Sequence, residues 1–359
     1  MLRQTIVTLF VLLLLGASAQ GVPSSAPSPV SAVDALGRKV TLPAPPQRIV
    51  VAGKGTFMIV NSLYLFPEGA QRLVAFTVAR QGADFVRMLD PNAAAKATLG
   101  PEAGPEQIAA ARPDLVILKS YTREKLGVAV EALGIPVFYV SLETPKEYLT
   151  ELKALGQLLG DPARAEEVVA FYRERLERIQ VRTANIPEEQ KPRVLVLQYS
   201  AKGGETAFSV PPAAWIQTLM VQIAGGRPVW LNIRGSENNY TVVTLEQIAA
   251  WNPDQIYIID YFGDPVKAVE RFRADPIARN LKAVQSGQVF AFPKDTYSWD
   301  QPDTRWILGL EWLAAHIHPN RFTDLNILQE FTRFYRTLYR LDEATIEGQL
   351  RPLLRGSLP

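Results

Sequence analysis

The sequence predicts an α/β protein made of two similar lobes, each with a central sheet of the parallel type covered by helices. Short β-branched, apolar runs recur along the chain and are separated by helical stretches, the pattern of sheets buried on both faces. One thirteen-residue segment also occurs twice, about 140 residues apart. At 359 residues the chain exceeds the usual single core, which favours two units of about 100–200 residues each.

Met1-Leu2-Arg3-Gln4 leads into an apolar stretch from Thr5 to Gly16 and then Ala17-Ser18-Ala19, the three parts of a cleavable secretory signal, with the cut expected after Ala19. The stretch is too short for the ~20 residues that span a bilayer as a helix. The chain has no cysteine, so stability is expected to rest on packing. Gln20 stands where a bacterial lipoprotein carries its lipid-bearing cysteine. The expectation is therefore a free periplasmic protein, secreted by a cleavable signal and not a lipoprotein. Residues 20–30, rich in Pro and Ser, read as a flexible leader.

Apolar residues make up 47% and charged residues 21%, so each lobe can bury a core without metal staples. The 38 basic and 36 acidic side chains are interspersed, with no basic run to neutralise a line of phosphates. Nucleic acid is accordingly not expected as a partner.

Arg48-Ile49-Val50-Val51-Ala52 is the first strand, closed by Gly53-Lys54-Gly55-Thr56 and followed by an apolar helical segment from Phe57 to Phe66. Further strands are expected at Leu115 to Leu118, Val137 to Val140, Val194 to Leu197, Gln255 to Ile259 and Val289 to Phe292. Between the halves, Asp161 is a good N-cap and Pro162 suits the first helical position. Ala165, Val168, Val169, Tyr172, Leu176 and Ile179 then keep helical spacing to about Thr183. A helix of that length, about 30 Å, is long enough to cross from one lobe to the other, and the segment also fits an ordinary surface helix. The expected division is residues 31–160 for the N-terminal lobe, 161–184 for the connecting helix and 185–359 for the C-terminal lobe.

The repeat pairs Glu106 to Leu118 with Glu246 to Ile258, and seven of its thirteen positions are identical. Each copy reads as a short helix with Gln at N3, a Pro-Asp stop and an apolar strand. Thr244-Leu245-Glu246-Gln247 is itself a capping-box pattern.

Ligands of open α/β sheets sit beyond the carboxyl ends of the strands. That rule nominates Lys54, Gly55 and Thr56 after the first strand, Lys119 and Tyr121 after the first repeat, and Tyr199 and Lys202 after the Val194 run. It adds Tyr261, Tyr297 and Trp299, with Asn239 and Tyr240 just before the second repeat. Gly53-Lys54-Gly55-Thr56 suits an anion at a helix start and equally a plain tight turn; it lacks the spacing of a P-loop. The aromatics fit a cleft wall or the edge of a core. A bare transition-metal ion is disfavoured, because His316 and His318 are the only histidines and read as caps of a C-terminal helix. There is no Gly-x-Ser-x-Gly elbow and no His-Glu-x-x-His, and the chain is not expected to be an enzyme or to carry a resident cofactor.

Asp34-Ala35-Leu36-Gly37-Arg38-Lys39-Val40-Thr41-Leu42-Pro43 followed by Pro46-Gln47-Arg48-Ile49-Val50 resembles the opening of periplasmic binding proteins for ferric siderophores, haem and cobalamin. Both repeat copies, Leu133-Gly134-Ile135-Pro136-Val137, the helix after Asp161 and the Leu313 to Pro319 stretch fall where that family has its landmarks. The resemblance covers nearly the whole mature chain. It implies two α/β lobes joined by one long helix, a ligand in the cleft, little hinge motion, a monomer, and delivery to an ATP-binding-cassette (ABC) permease dimer. It also implies that Glu106 and Glu246, one per lobe, meet arginines of that permease; a glutamate in a first helical turn is favoured by the helix dipole as well. The cargo expected first is a metal chelate, namely a ferric siderophore, haem or a corrinoid such as cobalamin. The alternative is an oxyanion such as molybdate or tungstate, suited by Lys54, Lys119 and Lys202. An enzyme or a sensor module on the same fold is the remaining alternative.

Overall fold

The computed structural model describes residues 28–78, 83–202, 205–235 and 239–359. The expected secretory signal and most of the leader lie outside them. The described chain opens at Val30 with a hairpin of β1 (Val30–Val33) and β2 (Lys39–Leu42), turning at Gly37, whose φ of 76° needs a residue without a Cβ.

The first sheet has five parallel strands, β3 (Ile49–Val51), β4 (Leu73–Thr77), β5 (Ala97–Leu99), β6 (Leu115–Lys119) and β7 (Val137–Val140), in the order β5-β4-β3-β6-β7. The order reverses between β3 and β6, the doubly wound arrangement. Period-two alternation divides these strands between two apolar layers. Ile49, Val51, Leu115 and Ile117 face the main core, whereas Val50, Ala52, Val116 and Leu118 face a smaller one with Ile108, Val130 and Tyr139.

The second sheet contains β8 (Arg193–Lys202), β9 (Glu205–Val210), β10 (Arg227–Pro228), β11 (Thr241–Val243), β12 (Gln255–Ile259) and β13 (Val289–Ala291). Its path is β11-β9-β8-β12-β13, with β10 beside the start of β8. Its centre keeps the expected parallel pairing of β8, β12 and β13, while β9 and β11 add antiparallel strands at one edge. Lys202 pairs directly with Glu205, and so short a connection permits only a hairpin, because a parallel return needs a dozen or more residues.

The long helix spans Pro162–Thr183, with the Asp161 side chain accepting from the Arg164 N–H at 3.0 Å. Near its start Arg164 Nε donates to the Leu65 carbonyl at 3.0 Å, on the side of the first sheet. At its end Thr183 Oγ1 donates to the Ile223 carbonyl at 3.0 Å, on the side of the second. It therefore runs between the two sheets, paired with the Pro145–Leu159 helix, and the turn between them is made at Gly160 with φ 78°. A Cβ on Gly156 would approach that of Ala165 to 2.4 Å, so glycine permits the close helix contact.

Beneath both sheets, the helices Trp306–Ile317 and Ile327–Tyr339 lie along this rod. Tyr172 stacks on Trp306 at 5.5 Å, and Phe171 meets Phe334 edge-on at 6.2 Å. One apolar cluster consequently runs through both lobes. Between them sits Arg305, without exposed surface, paired with Asp295 at 2.8 Å and Asp303 at 2.7 Å and lying over Phe85 at 4.1 Å. Asp303 in turn accepts from Asn61 of the Thr56–Leu63 helix. The buried pairs tie the loop after β13 to the first lobe.

Candidate ligand site at the strand ends

Reversal of strand order makes a crevice between the loops that follow β3 and β6. The chain leaves β3 through Gly53 and Gly55, both at positive φ, and enters the Thr56–Leu63 helix. Thr56 Oγ1 donates to the Thr77 carbonyl at 2.8 Å, which fixes this turn to the end of β4. Lys54, on the tip of the turn, is exposed and makes no hydrogen bond or ion pair among the described residues. A Cβ on Gly55 would meet the Tyr121 hydroxyl at 2.9 Å and Lys119 Cγ at 3.4 Å, so the two loops touch. Lys54, Gly55, Thr56, Lys119 and Tyr121 are thus brought together.

Lys119 is not the free cation the sequence suggested. It has no exposed surface, and its Nζ is held by Glu143 at 2.6 Å, by the Ser141 carbonyl and by Met58 Sδ at 3.4 Å. Glu143 lies beyond β7, in the loop that leads to the Pro145–Leu159 helix. Behind it, Glu151 Oε2 accepts the backbone N–H groups of Ser141 and Leu142 at 2.8 and 3.0 Å. Burial pushes the Glu151 carboxyl up to about 7, against the opposing pull of those two N–H groups and of Lys119.

The matching edge of the second sheet lies between β8 and β12. Tyr261 stands two residues past β12 as Tyr121 stands two past β6, so the repeat places a tyrosine at the same point of each lobe. Lys294 Nζ pins this loop by donating to the carbonyls of Asp260 at 3.2 Å, Tyr261 at 3.1 Å and Gly263 at 3.3 Å. Tyr240 and Tyr261 share a hydrogen bond of 2.6 Å between their hydroxyls, and Tyr261 donates to Asp300 Oδ2 at 2.7 Å. Gln217 Nε2 donates to the same oxygen at 3.0 Å, and Ser298 Oγ donates to Asp300 Oδ1. Asp300 is fully buried; desolvation raises its carboxyl above the ordinary range, against the lowering by these donors.

A hollow of about 380 Å³ opens at this edge, lined by Tyr199, Ser200, Asp260, Phe262, Lys267 and Arg271 among others. The Tyr199 hydroxyl accepts from Arg271 at 3.0 Å. A second hollow of about 550 Å³ follows the outward face of the long helix at Arg173, Glu174, Glu177 and Arg182. It lacks the converging loops of the strand ends, and the site is placed at the latter.

Other expected residues fall elsewhere. Trp299 is wholly inside the protein, its indole N–H donating to Asp295 at 3.0 Å and its ring stacked on Phe331. Tyr297, 2% exposed, stacks on Phe57 at 5.1 Å and helps to close the floor between the lobes. Both belong to the core, where their partners lie far away in sequence, and not to an open wall. Asn239 is exposed beside Tyr240. Lys202 ends β8, and its side chain lies outside what is described. His316 and His318 donate ring N–H groups to the carbonyls of Trp312 and Gly225.

Glu106 and Glu246 are both exposed in the first turns of the Pro105–Ala110 and Leu245–Trp251 helices. A helix that feeds a parallel strand runs back against the sheet, so its first turn lies at the edge where the strands end. The two carboxylates therefore flank the same edge as the candidate site. Two α/β lobes on a shared floor, each with loops gathered at the ends of its parallel strands, define a two-lobed ligand carrier.

The profile of the Periplasmic binding protein family matches residues 49–296, and the chain belongs to that family. It is a solute-binding protein of ABC import and not an enzyme. It is 25% identical over 343 residues to the molybdate-binding protein MolA of Haemophilus influenzae, covering 87% of this chain and 92% of that protein. It is 21% identical over 263 residues to the Fe(3+)-citrate-binding protein YfmC of Bacillus subtilis, covering 72% and 77%. Among solved structures, a periplasmic solute-binding protein of Veillonella parvula superposes with a TM-score of 0.71 at 23% identity over 90% of this chain and 97% of that one. MolA with bound molybdate superposes with a TM-score of 0.69 at 21% identity, covering 87% and 98%.

Proposed function

We propose that this protein captures an anionic, metal-containing solute between its lobes in the periplasm and hands it to an ABC permease that grips Glu106 and Glu246. The lobes are residues 31–160 and 185–359, joined by 161–184, and the mature chain is a free monomer that begins after Ala19. The observation that carries the anion reading is Lys54, a cation without a hydrogen bond or ion pair among the described residues, on a double-glycine turn at the start of a helix, where backbone N–H groups and the helix dipole favour negative charge.

An oxyanion of the molybdate kind now stands first, ahead of the chelate that the sequence alone favoured. The lysine supports it, as does full-length similarity to a protein named for molybdate. A ferric chelate is the second reading, supported by Tyr121 and Phe262, which are 58% and 73% exposed on the loops after β6 and β12 and give the two lips aromatic faces. Titration calorimetry of the purified mature protein with molybdate, tungstate, ferric citrate, haem and cobalamin tests the choice. One-site binding of molybdate or tungstate supports the first reading, and binding of ferric citrate alone supports the second. Binding of haem without the oxyanions also falls to the second reading, and binding confined to cobalamin contradicts both.

A further inference from the structure

We infer that Glu143 is a built-in competitor of the cargo, its carboxylate occupying the cationic place on Lys119 that an anionic ligand takes over. The inference rests on the anion reading above and adds to it a residue that sets affinity and selectivity. Lys119 ends β6 at the crevice, and its Nζ reaches the first turn of the Thr56–Leu63 helix through Met58 Sδ at 3.4 Å. Its stem lies against Gly55, next to the Tyr121 hydroxyl. The ammonium is thus buried behind the turn that carries Lys54.

The three partners of Lys119 differ in how readily they leave. The Ser141 carbonyl belongs to the backbone following β7, where Glu151 holds the adjoining N–H groups, and Met58 is part of a helix. Glu143, by contrast, keeps 35% of its side chain exposed and sits at 2.6 Å from Nζ. Its carboxylate can rotate into water while the carbonyl and the sulfur keep the ammonium in place. The vacated position then offers a buried positive charge to an entering anion, next to the turn that carries Lys54.

Exchange of one anion for another on a fixed cation has a selective consequence. A monoanion only replaces the charge that Glu143 already supplies and gains little, whereas a dianion also attracts Lys54. The pair therefore rejects singly charged solutes and weakens binding of the doubly charged one enough for release.

The test titrates molybdate and formate, as dianion and monoanion, into the wild-type protein, Glu143→Gln, Lys119→Met and the double variant. Glu143→Gln is expected to tighten molybdate by about fivefold, the worth of one half-exposed ion pair, and to relax discrimination against formate. In the Lys119→Met background the same change is expected to have no effect, and thermal melts confirm folding. Unchanged or weaker molybdate binding in Glu143→Gln overturns the competitor role while leaving the anion reading intact. Absence of anion binding in all four proteins overturns both.

Discussion

Arg48 and Arg193 hold the same place in the two lobes. Arg48 immediately precedes β3 and Arg193 opens β8, and each presents its backbone N–H to the aspartate of the repeat's Pro-Asp stop, Asp114 Oδ1 and Asp254 Oδ2, both at 2.8 Å. Each guanidinium then donates to the last carbonyls of the repeat helix. Arg48 reaches Ala111 at 2.7 Å and Arg112 at 2.9 Å, and Arg193 reaches Trp251 at 2.5 Å and Asn252 at 3.3 Å. The helices that display Glu106 and Glu246 are thus fastened at their far ends by one device used twice. Arg48→Ala and Arg193→Ala should each cost about 1–3 kcal/mol, read as a lower Tm, and the two losses should add because the sites share no partner.

Glu106 and Glu246 are exposed in first helical turns, where their structural part is local to the helix start. The double change Glu106→Ala, Glu246→Ala should leave ligand affinity within about twofold while transport by cells carrying the importer collapses, since rim charges act on docking and rate. Uptake at the wild-type rate removes the docking assignment.

Glu151 makes stability depend on pH. Its folded value, about 7, lies above the ordinary 4.5, so the stability it contributes is complete below the unfolded value and is lost as pH rises toward 7. Glu151→Gln keeps an acceptor for the Ser141 and Leu142 N–H groups and removes the titration. The variant should therefore gain on the wild type between pH 4.5 and 7, by up to about 3 kcal/mol. Parallel melting curves through that range check the sign.

Arg305 should be the least replaceable side chain of the floor. Arg305→Met leaves Asp295 and Asp303 buried without their cation and should cost about 3–5 kcal/mol. Asp303→Asn keeps the Asp295 pair and should cost less. Chemical denaturation of the two variants orders them.

How much of this was legible in the sequence depends on where each partner lies in the chain. The repeat around Glu106 and Glu246 carried the two-lobed plan, because helix, stop and strand are local patterns. The turn of Lys54, Gly55 and Thr56 was legible as the exit from a strand, and β3 does stop just before it. The hairpin of β8 and β9 was missed although Gly203-Gly204 is a turn signal, because the apolar run was read only as far as Leu197. Trp299 and Tyr297 stayed open between cleft wall and core edge because nothing near them announces Phe331 or Phe57, with which they pack. Lys119 looked free for the same reason: Glu143 comes from beyond the next strand, and only the sheet brings it to the ammonium. Asp300 gave no local sign of Tyr261, which donates to it, or of Tyr240, which is bonded in turn to the Tyr261 hydroxyl.

The central claim, that an anion is held at the strand ends beside Lys54, is tested most directly by titrating wild-type protein and Lys54→Met side by side with molybdate. A one-to-one isotherm that weakens at least about tenfold in the variant, with an unchanged melting temperature, is the result this account predicts. An isotherm identical in the two proteins, or none in either, contradicts it.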